Sequence, residues 1–238
     1  MKTYFTDSEI IYVAIDRTNW GRINLFMVSL IWYKSDAARS WEGSAVLGVP
    51  PMSDCRGFPH ERLHQDRSFP IYWTLLPKLG SSNIKEQTSI LSKVIPIFKN
   101  YKICVLGDRE FCSIKLANYL QELGVYFCLR LKKNHFVEYQ KDNWIQLNDL
   151  GLVPGVSLFI KGVKVTNNRG FISFNVAGKW QRKLKGITPK EGWFILTNFE
   201  SLNLAISAYK KRFDSLAKPG ERSEAWKCLE ILRLVVII

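Results

Sequence analysis

The sequence predicts an α/β fold: a mixed sheet with helices on its faces and an all-β insertion. Three observations carry this. Three β-like segments come first, and then helix, strand, helix and strand follow, the order of a mixed sheet. Beyond Lys133 the helical period gives way to short β-like pieces punctuated by Gly and Asn. Two of the apolar strands, in "YVAIDRTNW" and "ICVLGDREF", each run into an Asp-Arg pair, Asp16-Arg17 and Asp108-Arg109.

Residues 10–15 are a continuous apolar run and read as a buried strand. Residues 24–33, "NLFMVSLIWY", read as the second strand of a hairpin whose turn includes Gly21. Residues 69–76, "FPIYWTLL", are a third. In "SSNIKEQTSILSKVIPIFKN" the Ser and Asn residues suit a cap, and Ile84, Ile90, Leu91, Val94 and Ile95 recur at helical spacing. The strand from Ile103 ends at Asp108, a helix spans 113–123 until Gly124 stops it, and "VYFCLRL" is the next strand. Residues 1–132 thus form the first part of a core.

Residues 133–190 form the insertion, with "WIQLNDL", "VSLFIKGVKV", "GFISFNVA" and "KWQRKLKG" as its β-like pieces. "GWFILTN" at 192–198 returns to the main sheet and a helix over 202–212 follows, so 191–214 complete the core. Two stretches fit neither part. Residues 34–67 are rich in Ala, Gly, Pro and Arg without periodicity, and are expected to be a poorly packed loop that could be deleted without loss of stability. Cys55, His60 and His64 lie in it at zinc-like spacing, but three ligands in an unpatterned loop do not define a structural zinc site. Residues 215–238 form an aberrant tail, in which "SLAKPGERSEA" breaks the last helix with Pro219 and Gly220.

Composition narrows the partners. Apolar residues make up 47% of the 238, enough to bury a core. No apolar run is long enough to span a bilayer, and "MKTYFTDSEI" lacks the shape of a signal peptide, so a cytoplasmic protein without membrane contact is expected. The five cysteines have no close CxxC spacing and read as free thiols. Thirty-four Lys and Arg against 21 Asp and Glu give a net charge of +13, which favours a polyanion. From 150 to 190 there are eight basic residues and no acidic one. There Phe171, Phe174 and Trp180 interleave with Arg169, Lys179, Arg182, Lys183 and Lys185, a mixture suited to nucleic acid: cations meet phosphates while aromatic faces stack on bases.

The two aspartates suggest chemistry. In a ribonuclease H-like sheet the first strand and a later parallel strand lie side by side, and acids at corresponding ends come close together. Two such acids, with a third from a helix, can hold two Mg²⁺ ions about 4 Å apart. Asp16 and Asp108 are the candidate catalytic and metal-ligating residues. An Asp after a strand is also common turn chemistry, so the pair alone does not decide the matter.

The motifs "AIDRTNW", "IYWTLLPKLGSSN", "LGDREF", "FCLRLKKN", "GWFILTN" and "AYKKRF" resemble those of DDE transposases of bacterial insertion sequences, in the insertion sequence four group. The resemblance covers residues 12–214 apart from 34–67. It implies a ribonuclease H-like core, a β insertion between the second and third acids, and Mg²⁺-dependent (Mn²⁺ as substitute) cleavage and joining of transposon ends. It also implies double-stranded DNA as partner, both terminal repeats and target, and a dimer holding two ends. Asp16 matches the first catalytic acid and Asp108 the second.

The family pattern on the last helix is Tyr, two residues, Arg, three residues, Glu, six residues, Lys. Tyr209 and Arg212 match its opening, and the resemblance gives them contacts to DNA near the active site. The Glu and Lys positions hold Leu216 and Ser223, and neither Glu221 nor Glu224 has a Lys seven residues on. The family's N-terminal helical DNA-binding region is expected to be missing. A shift of reading frame near residue 215 is the expected origin of the tail. An A/T-rich back-translation of 226–238, read from its third base, gives a peptide similar to the family sequence around that Glu and Lys. The resemblance therefore implies an impaired transposase; the alternative is a basic DNA-binding fragment without cleavage activity. A ribonuclease H-like host nuclease is disfavoured by the basic insertion and by Tyr209 with Arg212.

Overall fold

The computed structural model describes residues 10–20, 22–32, 67–165, 173–182 and 191–214. β1 (Ile10–Trp20), β2 (Ile23–Trp32) and β3 (Arg67–Leu76) form an antiparallel meander. Helix α1 (Ile84–Val94) passes through a 3₁₀ turn (Ile95–Phe98) to β4 (Lys102–Gly107), and α2 (Ile114–Glu122) leads to β5 (Tyr126–Arg130). A hairpin of β6 (Phe136–Gln140) and β7 (Asn143–Gln146) follows. Then come β8 (Ser157–Val163), β9 (Phe174–Lys179), β10 (Trp193–Thr197) and α3 (Leu202–Asp214).

Eight strands make one mixed sheet in the order β3-β2-β1-β4-β5-β10-β9-β8. β4 lies parallel to β1 and β5 parallel to β4; the other pairs are antiparallel. The chain is therefore a mixed α/β protein, with three α-helices among the described residues. None of them is long and apolar enough to cross a membrane.

Local chemistry explains the helix ends. The Asn83 side chain accepts the Glu86 N–H at 2.9 Å, and the Glu86 carboxylate accepts the Asn83 N–H at 2.7 Å, so both cap donors are satisfied. The sequence pattern runs on through Ile95, but the α-helix stops at Val94. Pro96 lacks the N–H that another α-helical turn would need, and the chain tightens into 3₁₀. Ser113 stands at the N-cap of α2, and Gly124, at φ +68°, takes the left-handed conformation that ends it. Pro70 sits on β3, at one end of the sheet, beside a register shift at Val28/Ser29 where a missing ladder donor is tolerated.

Further features differ from the sequence reading. β1 does not end at residue 15: it stays paired with β2 as far as Trp20, while its pairing with β4 stops at Ile15↔Gly107. Alternating apolar residues on β2 keep that arm of the hairpin extended, so Asp16 lies inside a strand on one side and at the sheet's end on the other. The β insertion also divides. β8 and β9 continue the main sheet beyond β10, and β6–β7 alone form a separate two-stranded sheet. "LNDL" forms a 3₁₀ turn at Leu147–Asp149 where the sequence suggested strand. Of the expected loop 34–67, Arg67 instead opens β3, and the rest, with Cys55, His60 and His64, lies outside the described residues, as do Gly21, Arg169, Phe171, Lys183, Lys185 and the tail at 215–238.

The pleat sorts side chains onto two faces. Ile11, Val13 and Ile15 of β1, Ile103 and Val105 of β4, and Phe127 and Leu129 of β5 pack with Leu91, Leu116 and Leu120 of α1 and α2. Ala14, Cys104, Leu106 and Cys128 face the other way, against Ala205, Ala208 and Tyr209 of α3. Ala205 and Ala208 let α3 come close enough for the Cys128 thiol to lie 3.6 Å from the Ala205 carbonyl.

Candidate active site

The same alternation that gives α3 its core places two acids beneath it. Asp16 continues the Tyr12–Ala14 face of β1, and Asp108 continues the Cys104–Leu106 face of β4, so both point to the α3 side of the sheet. The parallel register Ile15↔Gly107 makes them neighbours one step beyond the last paired residues. On α3, Arg212 lies one and two turns beyond Tyr209 and Ala205 on the same stripe. Its Nη2 is 3.7 Å from Asp16 Oδ1 and 3.7 Å from Asp108 Oδ2. Those two oxygens are therefore separated by no more than twice 3.7 Å.

Burial decides what each partner can do. The Arg212 side chain is 7% exposed, whereas those of Asp16 and Asp108 are 41% and 40% exposed. The acids meet solvent, and the guanidinium closes the site from beneath. Each acid has one oxygen fixed by the following residue: the Arg17 N–H donates to Asp16 Oδ1 at 2.8 Å, and the Arg109 N–H to Asp108 Oδ1 at 2.7 Å. Burial raises the pKa of Asp16 above the ordinary aspartate range; Arg212 and the Arg17 N–H oppose the shift, while Asp108 and Glu110 add to it.

The two Asp-Arg pairs now have separate explanations. Arg17 follows Asp16 within β1 and points to the opposite face, whereas Arg109 lies in the turn after β4 and has a partner of its own. Arg17 bonds Glu110 and reaches Asn24 Oδ1 at 3.1 Å, while Glu110 also accepts the Ser82 N–H at 3.2 Å. This braces the β1–β2 hairpin against the segment after β4. Arg109 pairs with Glu191, just before β10. Gly107 is required where the chain reaches Asp108: a Cβ there would lie 2.8 Å from Leu129 Cδ2 and 3.0 Å from Phe111 Cβ.

Of the residues singled out in the sequence, the structure brings together Asp16, Asp108, Arg212 and Tyr209. The Tyr209 ring is fully buried, edge-on to Trp193 with centroids 5.6 Å apart. Burial and the Asp108 charge both raise its hydroxyl pKa. Tyr209 and Arg212 thus pack beneath the acids. Lys179 is half-buried at the end of β9 on the α3 face, three strands from Asp108, and Arg182 is exposed with its Cγ over Gly155.

Sequence reasoning missed Arg130 and Glu191. The β4–β5 register sets Arg130 beside Asp108, and Arg130 Nη2 bonds Glu191 Oε1 at 2.6 Å. The alternation Cys128–Arg130 placed Arg130 on the α3 face, but its neighbour depended on a strand register that no sequence pattern states.

Hard carboxylate oxygens that reach solvent are the donor type of Mg²⁺ or Mn²⁺, an ion that keeps several waters and binds through one or two carboxylates. Among the described residues no group of three or more His, Cys, Asp or Glu is placed to hold a metal. The donor chemistry of the acid pair is that of such an ion, and among the described residues no third carboxylate joins it. Neither the protein-family models nor the curated proteins include a match to this chain.

Proposed function

We propose that the chain is the core of a DDE transposase of the insertion sequence four group, built on a ribonuclease H-like sheet and impaired in cleavage. The observation that carries this reading is the acid pair: Asp16 and Asp108 at the same end of adjacent parallel strands, bridged from α3 by Arg212. The strand order β3-β2-β1-β4-β5, with β2 antiparallel to β1, supports the fold assignment.

In this reading Asp16 and Asp108 hold Mg²⁺, or Mn²⁺ in its place, at the scissile phosphate of transposon-end DNA. The bound ion supplies Lewis-acid stabilisation and an activated water or 3′-hydroxyl. The protein's part is to fix both carboxylates: the Arg17 and Arg109 N–H groups orient them and Arg212 offsets their repulsion. Lys179 and Arg182, with Lys183 and Lys185, meet the backbone of double-stranded DNA, and a dimer would hold two ends. Cleavage is impaired because Leu216 stands where the family pattern has Glu.

A second reading, a basic DNA-binding fragment without cleavage, is favoured by Arg212 itself, which supplies the acid pair with an internal counter-ion. Binding and nicking of DNA carrying the element's terminal repeats separate the two. Under the first reading, binding weakens steeply with salt, weak Mn²⁺-dependent nicking disappears in Asp108→Asn, and Leu216→Glu increases it. Binding without nicking in any of these chains supports the second. Absence of DNA binding at low salt refutes both.

A further inference from the structure

Beside the acid pair a single carboxylate is shared by three cations. Glu191 Oε1 accepts from Arg130 Nη2 at 2.6 Å and also meets Arg109, while Oε2 lies 3.7 Å from Lys133 Nζ. The cluster carries two more positive charges than negative. Arg130 is its buried base, with a side chain 11% exposed, while Arg109 and Lys133 are 41% and 43% exposed at its mouth. Burial, with the nearby Arg109 charge, lowers the Arg130 pKa, opposed by Asp108 and Tyr209.

We propose that Arg109, Arg130 and Lys133 form a phosphate site, and that Glu191 fills it as an internal surrogate until a phosphate displaces it. A carboxylate and a phosphodiester both present two anionic oxygens to a guanidinium fork, so one can replace the other on Arg130 and Arg109. Arg130 neighbours Asp108 in the β4–β5 register, so the phosphate held here lies next to the one at the acid pair. The ligand is a backbone phosphate of nucleic acid, and in naming that source the proposal rests on the DNA reading above. Glu191 then opposes binding: loose polyanions must compete with it, and a ligand anchored elsewhere on the basic surface displaces it more readily.

The test compares the intact chain with Glu191→Gln and with Glu122→Gln, which removes the same charge from the exposed end of α2. Fluorescence anisotropy with a short DNA duplex, and the shift of melting temperature in inorganic phosphate, are read for all three. Glu191→Gln should bind the duplex at least about fivefold more tightly than Glu122→Gln and gain more from phosphate. Equal affinities for the two variants would overturn the proposal and leave the DNA reading standing. A gain with phosphate, with no duplex binding by any chain, would support the site but overturn both its DNA source and the DNA reading. Should Glu191→Gln melt below the assay temperature, Glu191→Asp replaces it. Its shorter side chain cannot span Arg130 and Lys133 together, so a smaller gain is expected and no gain overturns the proposal.

Discussion

The sheet has two covered faces, and they end differently. Under α1 and α2 the strands present Ile11, Val13, Ile15, Val105, Phe127 and Leu129, and apolar contact continues to the last paired residues. Under α3 the same strands present Ala14, Cys104, Leu106 and Cys128, and then Asp16, Asp108 and Arg130. One face is held by area removed from water. The other gives up part of that area to charges that hold each other in place: Arg212 with two acids, Glu191 with three cations. Stability and site chemistry therefore reside on opposite sides of one set of strands, and substitutions should separate them.

The largest effect is expected on the apolar face. Leu120→Ala empties a fully buried position between α2 and the sheet and should cost about 3 kcal/mol in chemical denaturation. Its effect on divalent-ion affinity should be slight. Loss of ion binding at temperatures where the variant is folded would show that the faces are not separable.

Gly107→Ala acts on both faces at once. The added methyl meets Leu129 and Phe111 side chains, for an expected cost of roughly 1–3 kcal/mol. It should also displace Asp108 and weaken ion binding, which calorimetric titration with Mn²⁺ would measure. Unchanged affinity would mean that the β4 end tolerates movement without consequence for the acids.

Arg212→Leu keeps most of the side-chain volume and removes the shared counter-ion. Because both acids reach solvent, the cost at neutral pH should be only about 1–2 kcal/mol, falling in acid as Asp16 protonates. A cost independent of pH would show that packing, rather than charge, is what Arg212 supplies.

The smallest effect is expected at Asp16. Its pKa is raised in the folded chain, so ionisation opposes folding: the penalty is absent below the unfolded value near 3.8 and complete above the raised folded value. Asp16→Asn should therefore raise the melting temperature slightly at neutral pH, solvent screening of this part-exposed carboxylate keeping the gain small, and the gain should vanish in acid. A loss of stability at neutral pH would mean that its contacts to Arg212 and the Arg17 N–H outweigh its burial.

The apolar face was more legible in the sequence than the charged one. Alternation and helical spacing located the strands and helices under α1 and α2, because each depends on near neighbours in the chain. Asp16 and Asp108 were visible as acids at strand ends, and their closeness follows from pairing β1 with β4. Arg130 and Glu191 were not visible, since their meeting depends on the registers of β4, β5 and β10, set by contacts across the whole sheet. The division of the β insertion was hidden for the same reason. β8 and β9 have the period of any strand, and nothing local says which sheet they join.

Whether Asp16 and Asp108 act as one site is tested most directly by Mn²⁺ binding, followed by electron paramagnetic resonance. The intact chain should bind a single Mn²⁺ that Mg²⁺ displaces, and Asp16→Asn and Asp108→Asn should each abolish it while the chain remains folded. Mn²⁺ binding unchanged in either variant would contradict a shared site.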